Sequence, residues 1–126
     1  MNHYELLFTH IGTVLHFQYL VPLLVGTIAG VIGGALPGVT ITMTVIVVLP
    51  FTFGLDPLQG LAAMIGVYVG GSAGGSITAS LIGIPGTPSA VATTFDGFPM
   101  TKKGEAGRSV WVGVWSALIG GALGGL

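Results

Sequence analysis

Two short stretches hold the residue types best able to do chemistry, ALPGVT at 35–40 and GIPGTPS at 83–89. Proline removes a helix N–H and glycine accepts left-handed dihedrals, so Pro37-Gly38 and Pro85-Gly86 each free several backbone groups at one point. Hydroxyls follow at once: Thr40, Thr42 and Thr44 after the first pair, Thr87 and Ser89 after the second. Such groups offer N–H and O–H donors to a carboxylate and oxygen ligands to a cation. The expected substrate-binding residues are therefore Pro37, Gly38, Val39 and Thr40 together with Pro85, Gly86, Thr87 and Ser89. Thr42 and Thr44 are the expected ligands of a coupling cation, Na⁺ or H⁺. A plain loop at the membrane surface is the alternative reading of either break.

Charge narrows the chemistry further. No Lys or Arg precedes Lys102, so an anion held within residues 17–95 must rest on neutral donors. Half-helix N-termini, each carrying roughly half a positive charge, are the available device, and a bound Na⁺ could supply the rest. Net charge is −1 with no basic stripe, which excludes nucleic acid as a partner. His3, His10 and His16 do not have the i,i+4 spacing of a ligand pair and read as surface residues near the membrane. GGSAGGS at 70–76 has neither a preceding strand nor a Gly-Lys-Ser/Thr ending, which excludes a nucleotide loop. Cysteine is absent, removing thiolate and disulfide chemistry. No catalytic set emerges and no cofactor beyond the coupling ion is expected; the chain is not read as an enzyme.

The elements that must position these groups follow from composition. Of 126 residues 52% are apolar, 6% are charged and 23 are Gly, against about 25% charged and about 7% Gly in a soluble domain. Residues 6–55 and 57–95 carry no Asp, Glu, Lys or Arg. Each charge at the centre of a span costs about 2.5–3.5 kcal/mol, so such emptiness is what a bilayer selects. The expected fold is an all-α polytopic membrane bundle with Pro-Gly-broken or re-entrant helices. Residues 17–36 make one span and residues 58–82 another, the latter opened by Asp56-Pro57. Residues 41–55 are apolar but short and contain Pro50, giving a broken span or a re-entrant arm. A polar loop covers 86–108, with Asp96-Gly97 read as its turn signal in preference to Asp96 as an ion ligand, and residues 109–126 open a further span. Trp111 and Trp115 form an interfacial belt at its entry, and mid-span Tyr68 needs a hydrogen-bond partner on a neighbouring helix. Glycines four apart at 26/30/34, 66/70/74, 71/75 and 120/124 make flat faces for close helix packing. The first sixteen residues lack the positive charge of a secretory signal, and the chain closes inside an apolar run, as the N-terminal piece of a longer protein would.

In order, GVIGGALPGVT at 30–40, LPFTFGLDPLQG at 49–60 and IGVYVGGSAGGSITASLIGIPGTPSAVATTFDGFPMTKKGEAG at 65–107 resemble the large membrane subunit of the tripartite tricarboxylate transporters, the TctA family. The family pattern often continues LPG with another glycine, where this chain has Val39 and Thr40. The resemblance implies a secondary active permease in the inner membrane of a bacterium. It further implies a di- or tricarboxylate substrate, an ion gradient as driving force, a small membrane subunit and an extracytoplasmic solute-binding protein. A Gly-rich oligomeric channel and a structural membrane subunit are the alternatives, and saturable gradient-driven uptake separates a carrier from a pore.

Overall fold

The computed structural model describes residues 2–125, which form six α-helices and no strand. They are α1 (His3–Val14), α2 (Phe17–Ala35), α3 (Ile41–Thr52), α4 (Pro57–Ile82), α5 (Val91–Lys102) and α6 (Ala106–Gly124), with a 3-10 turn at Pro88–Ala90 before α5. Among the described residues, α2 and α4 are long and apolar enough to cross a membrane.

These two helices form the central pair, and glycine is the reason. A Cβ on Gly26 would run into the Ala63 carbonyl, on Gly30 into that of Val67 and on Gly34 into that of Gly71. From the other side Gly66, Gly70 and Gly74 meet the carbonyls of Leu23, Thr27 and Val31. Lipid gives helices no hydrophobic reason to associate, so backbone-to-backbone approach of this kind supplies the dispersion that holds them. Partner numbers rise together along both helices, which therefore run parallel.

The chain between parallel neighbours has to return, and α3 is the return arm. Its first residue, Ile41, packs where a Cβ on Gly71 would meet it at 3.1 Å, and Thr52 near its end lies beside Gly60 at 3.5 Å. Helix α3 thus runs antiparallel to both neighbours, from the C-terminal end of α2 to the N-terminal end of α4. Pro50 sits within its last turns without breaking it; the helix is continuous through Thr52 and is 12 residues, about 18 Å, long. A re-entrant arm returning to its own side would have left α2 and α4 antiparallel.

Two further differences from the sequence expectations concern the ends of the chain. Residues 91–102, expected to lie in a polar loop turned at Asp96-Gly97, are helical. Gly97 is buried, and its carbonyl accepts hydroxyls from Ser109 at 2.9 Å and Thr101 at 3.2 Å. Thr101 also donates to Ser80 O at 2.6 Å, so α5 is fastened to α4 and α6 by contacts that outweigh a local turn preference. Helix α1, which the sequence reading did not foresee, buries no residue. The tryptophan pair forms as expected, Trp111 and Trp115 stacking with ring centroids 5.9 Å apart.

Large apolar side chains such as Leu24, Ile28, Ile32, Leu61, Ile65 and Val69 point outward, while the buried apolar residues are small: Ala63, Val67, Ala79 and Ala90. That distribution suits a surrounding of lipid and further protein.

Candidate functional site

The first break is a tight turn followed by a helix start. Leu36 O accepts from Val39 N–H at 3.1 Å, and Gly38 has φ +89°, so Pro37 and Gly38 occupy the central positions of a type II turn. Thr40 then caps α3: its side-chain oxygen accepts from Met43 N–H at 3.2 Å. The amides of Ile41 and Thr42, the first two of the helix, are left without an intrahelical partner. Pro37, Gly38 and Thr40 are exposed and Val39 half-buried, so this turn presents its backbone openly.

The expected cation pair does not converge. Thr42 is exposed, whereas Thr44 is buried against Gly33 and its hydroxyl donates to Thr40 O at 3.3 Å. Two residues apart on a helix, their side chains leave on different faces, which the alternating sequence spacing disguised.

The second break is built differently. Helix α4 ends at Gly83, whose left-handed φ of +71° makes the reversal, and the Phe98 ring lies where a Cβ would sit. Pro85-Gly86-Thr87 then folds back along α4. Gly86 is buried between the Gly34 carbonyl and Gly75 Cα, the latter 2.9 Å from where a Cβ would be. Thr87, also buried, fills the space that Gly75 leaves open, and its hydroxyl shares a 3.1 Å hydrogen bond with that of Ser89. Thr87 O accepts from Ala90 N–H at 3.0 Å, setting the turn that launches α5.

The structure thus brings the two breaks to one place. Ile41 seats on Gly71 and Thr87 on Gly75, four residues apart on α4, or one helical turn of about 5.4 Å. Gly86 touches Gly34, the last glycine of α2 before the first break. Both seats fall in the C-terminal half of α4. GGSAGGS is therefore the strip on which three other segments meet: α2 at Gly70 and Gly74, the start of α3 at Gly71, and the second break at Gly75.

Tyr68 and a row of serines that the sequence reading passed over lie on the far side of α4. Tyr68, Ser72, Ser76 and Ser80, spaced four apart, line a cleft of about 300 Å³ between α4 and α6. Ser76 also lines a second cavity, of about 410 Å³, with Thr93 and Asp96 of α5 and Ser109 and Ser116 of α6. The repeating serine interval was the available signal; Asp96 was obscured because its glycine neighbour reads as a turn.

Residues 20–126 match the model of the tripartite tricarboxylate transporter TctA family. A protein of Agrobacterium vitis, described as an uncharacterized 52.8 kDa protein in the TAR-I ttuC' 3' region, is 37% identical over 99 residues, which is 79% of this chain and 20% of the relative. The chain thus spans about one fifth of that relative's length. No solved structure matches. With the glycine strip, both Pro-Gly breaks and the DGFPM segment all inside the matched region, the chain belongs to the tripartite tricarboxylate transporter TctA family.

Proposed function

We propose that this chain supplies part of the permease of a secondary active, binding-protein-dependent carboxylate uptake system in the inner membrane of a bacterium. In this reading a solute-binding protein delivers a di- or tricarboxylate, a small membrane subunit completes the assembly, and a Na⁺ or H⁺ gradient drives uptake. The two breaks hold the substrate carboxylate near the midplane, through backbone amides of the Gly38–Thr42 and Gly86–Thr87 stretches with Thr40 and Ser89 beside them. Thr87 is a positioning residue, locking the second break to α4.

The observation that carries this reading is the docking of the start of α3, just after the first break, and of the second break about one turn apart on the C-terminal half of α4, with the first amides of α3 uncommitted. Irregular backbone at membrane depth is tolerated where it is buried in protein or lines a wet cavity, and in transporters such breaks form substrate sites. The absence of Lys and Arg before Lys102 leaves backbone dipoles as this region's counter-charge. The test is reconstitution of the complete transporter with its partner subunits in proteoliposomes. Carboxylate uptake should saturate, require the binding protein and follow an imposed cation gradient. Gradient-independent, non-saturating flux would overturn the carrier reading in favour of a pore.

A further inference from the structure

Thr93 apart, the hydroxyls and the carboxylate that line the cavity between α4, α5 and α6 have a donor and acceptor balance of one sign. Ser109 Oγ donates to Gly97 O at 2.9 Å, Ser116 Oγ to Val112 O at 2.7 Å and Ser76 Oγ to Ser72 O at 3.0 Å. Each of these hydroxyls has used its single proton on a backbone carbonyl, so what it can turn toward the cavity is oxygen lone pairs. Asp96, when ionised, is likewise acceptor-only. An anion has no reason to enter such a space; a cation does.

Asp96 also lacks a counter-charge among the described residues. Arg108 pairs with Glu105 at 3.5 Å, and Lys102 lies 4.8 Å from the centre of the Phe98 ring. Asp96 makes no ion pair there, although it sits six residues, about 9 Å of helix, inside the Lys102 end of α5. Asp96 is exposed on α5, so its carboxylate is free to turn to the cavity it lines. One carboxylate balances one positive charge, and the described residues hold no cluster of three acidic, His or Cys groups such as a divalent ion would favour. The carboxylate and hydroxyl oxygens are hard donors, which select an alkali or alkaline-earth ion, and the charge count selects the monovalent one.

From this we infer that the cavity is the coupling-cation site, taking Na⁺ on Asp96 with hydroxyl oxygens of Ser76, Ser109 and Ser116, in place of Thr42 and Thr44. The inference rests on the transporter reading for its role, and on the cavity alone for its chemistry. The placement also connects ion to substrate. Ser76 follows directly on Gly75, the seat of Thr87, so an ion drawing α5 and α6 onto α4 acts one residue from the second break. The cleft between α4 and α6 shares Ser76, Gly113 and Ala117 with this cavity and continues from it to Tyr68.

The test is direct binding of radioactive Na⁺ to the complete transporter, purified with its partner subunits, at constant ionic strength and without substrate. Asp96→Asn should weaken Na⁺ binding more than about tenfold. Ser116→Ala, at an exposed position of α6, should weaken it by about threefold while leaving the thermal midpoint unchanged. Asp56→Asn, which removes a carboxylate but keeps a capping residue, should bind Na⁺ as the native protein does. Native Na⁺ affinity in Asp96→Asn overturns the assignment, as does a native protein that binds no Na⁺. Should Asp96→Asn fail to fold, unchanged affinity in Ser116→Ala overturns it. Na⁺ binding that depends on Asp96, in a protein showing no gradient-driven uptake, would leave the site standing and remove the transporter reading.

Discussion

Gly38 and Gly86 occupy the same place in two similar motifs, yet physics requires glycine at each for a different reason. Around Gly38 there is open space, and only its φ of +89° excludes a side chain; Gly86 has no left-handed φ but has the Gly34 carbonyl where a Cβ would go. A left-handed conformation costs an ordinary residue about 1–2 kcal/mol, more when it is β-branched, whereas asparagine tolerates it. Gly38→Val in the complete transporter is therefore expected to abolish carboxylate uptake with insertion intact, and Gly38→Asn to keep most of it. Normal uptake by a properly inserted Gly38→Val protein would remove the first break from the site. Charge gives the second expectation at this scale. Because the proposed substrate groups lie on α3 and the second break, changing Lys102, Lys103 and Arg108 together to Gln should disturb membrane orientation more than carboxylate affinity. Equilibrium binding to the purified triple variant, compared with its topology in cells, measures the two effects separately.

At the scale of helices, the seam between α2 and α4 was legible because glycine at intervals of four carries its packing meaning without a partner in view. Gly70→Ala places a methyl on the Thr27 carbonyl and should destabilise the transporter by about 1–3 kcal/mol through overpacking, while Gly120→Ala, with nothing within 4 Å, should not. Thermal unfolding of the two variants in one detergent compares them, and equal midpoints would deny the seam its role. Helix α5 was not legible: Asp96-Gly97 and Pro99 all announce a loop, and only the hydroxyls of Thr101 and Ser109 on the Ser80 and Gly97 carbonyls explain the helix. The site was half legible for a similar reason. The sequence marked both breaks, but it could not show that Gly83 rather than Gly86 makes the left-handed reversal, that Thr44 spends its hydroxyl locally, or that Asp96 faces three serines. Orientation now follows from the parallel pair, since the start of α2 lies at the opposite end of the bundle from Lys102, Lys103 and Arg108. Positive residues in a short connection are expected in the cytoplasm, which would put the N-terminus outside. An impermeant thiol reagent on intact cells should label a cysteine at Asn2 and spare one at Lys103. External labelling at Lys103 would reverse the assignment.

Taken as a whole, the molecule is packed inside out relative to a soluble domain of its size. Its buried apolar residues are small and few, its large ones face outward, and the glycines at 113, 120 and 121 of α6 have nothing within 4 Å. Small residues on a helix in lipid mark a place for another helix to approach closely. A chain spanning one fifth of a relative's length leaves ample further protein to supply that helix, and with it the donors that would close the open side of the first break. In the proposed reading the two breaks are one wall of a site whose opposite wall would lie elsewhere in the permease. A wall can hold its shape, since the α2–α4 seam and the Gly75–Thr87 contact are internal to it, but it cannot enclose a carboxylate or alternate between faces of a membrane. The 126-residue chain alone is accordingly expected to insert and remain helical in vesicles yet take up no carboxylate, while the complete transporter in the same lipid shows saturable uptake. Circular dichroism establishes the first half of that expectation, and uptake of labelled di- and tricarboxylates under a Na⁺ or H⁺ gradient the second. Saturable uptake by the short chain would mean that it contains a whole site; leakage of carboxylate through it without saturation would favour an oligomeric pore lined by the glycine faces.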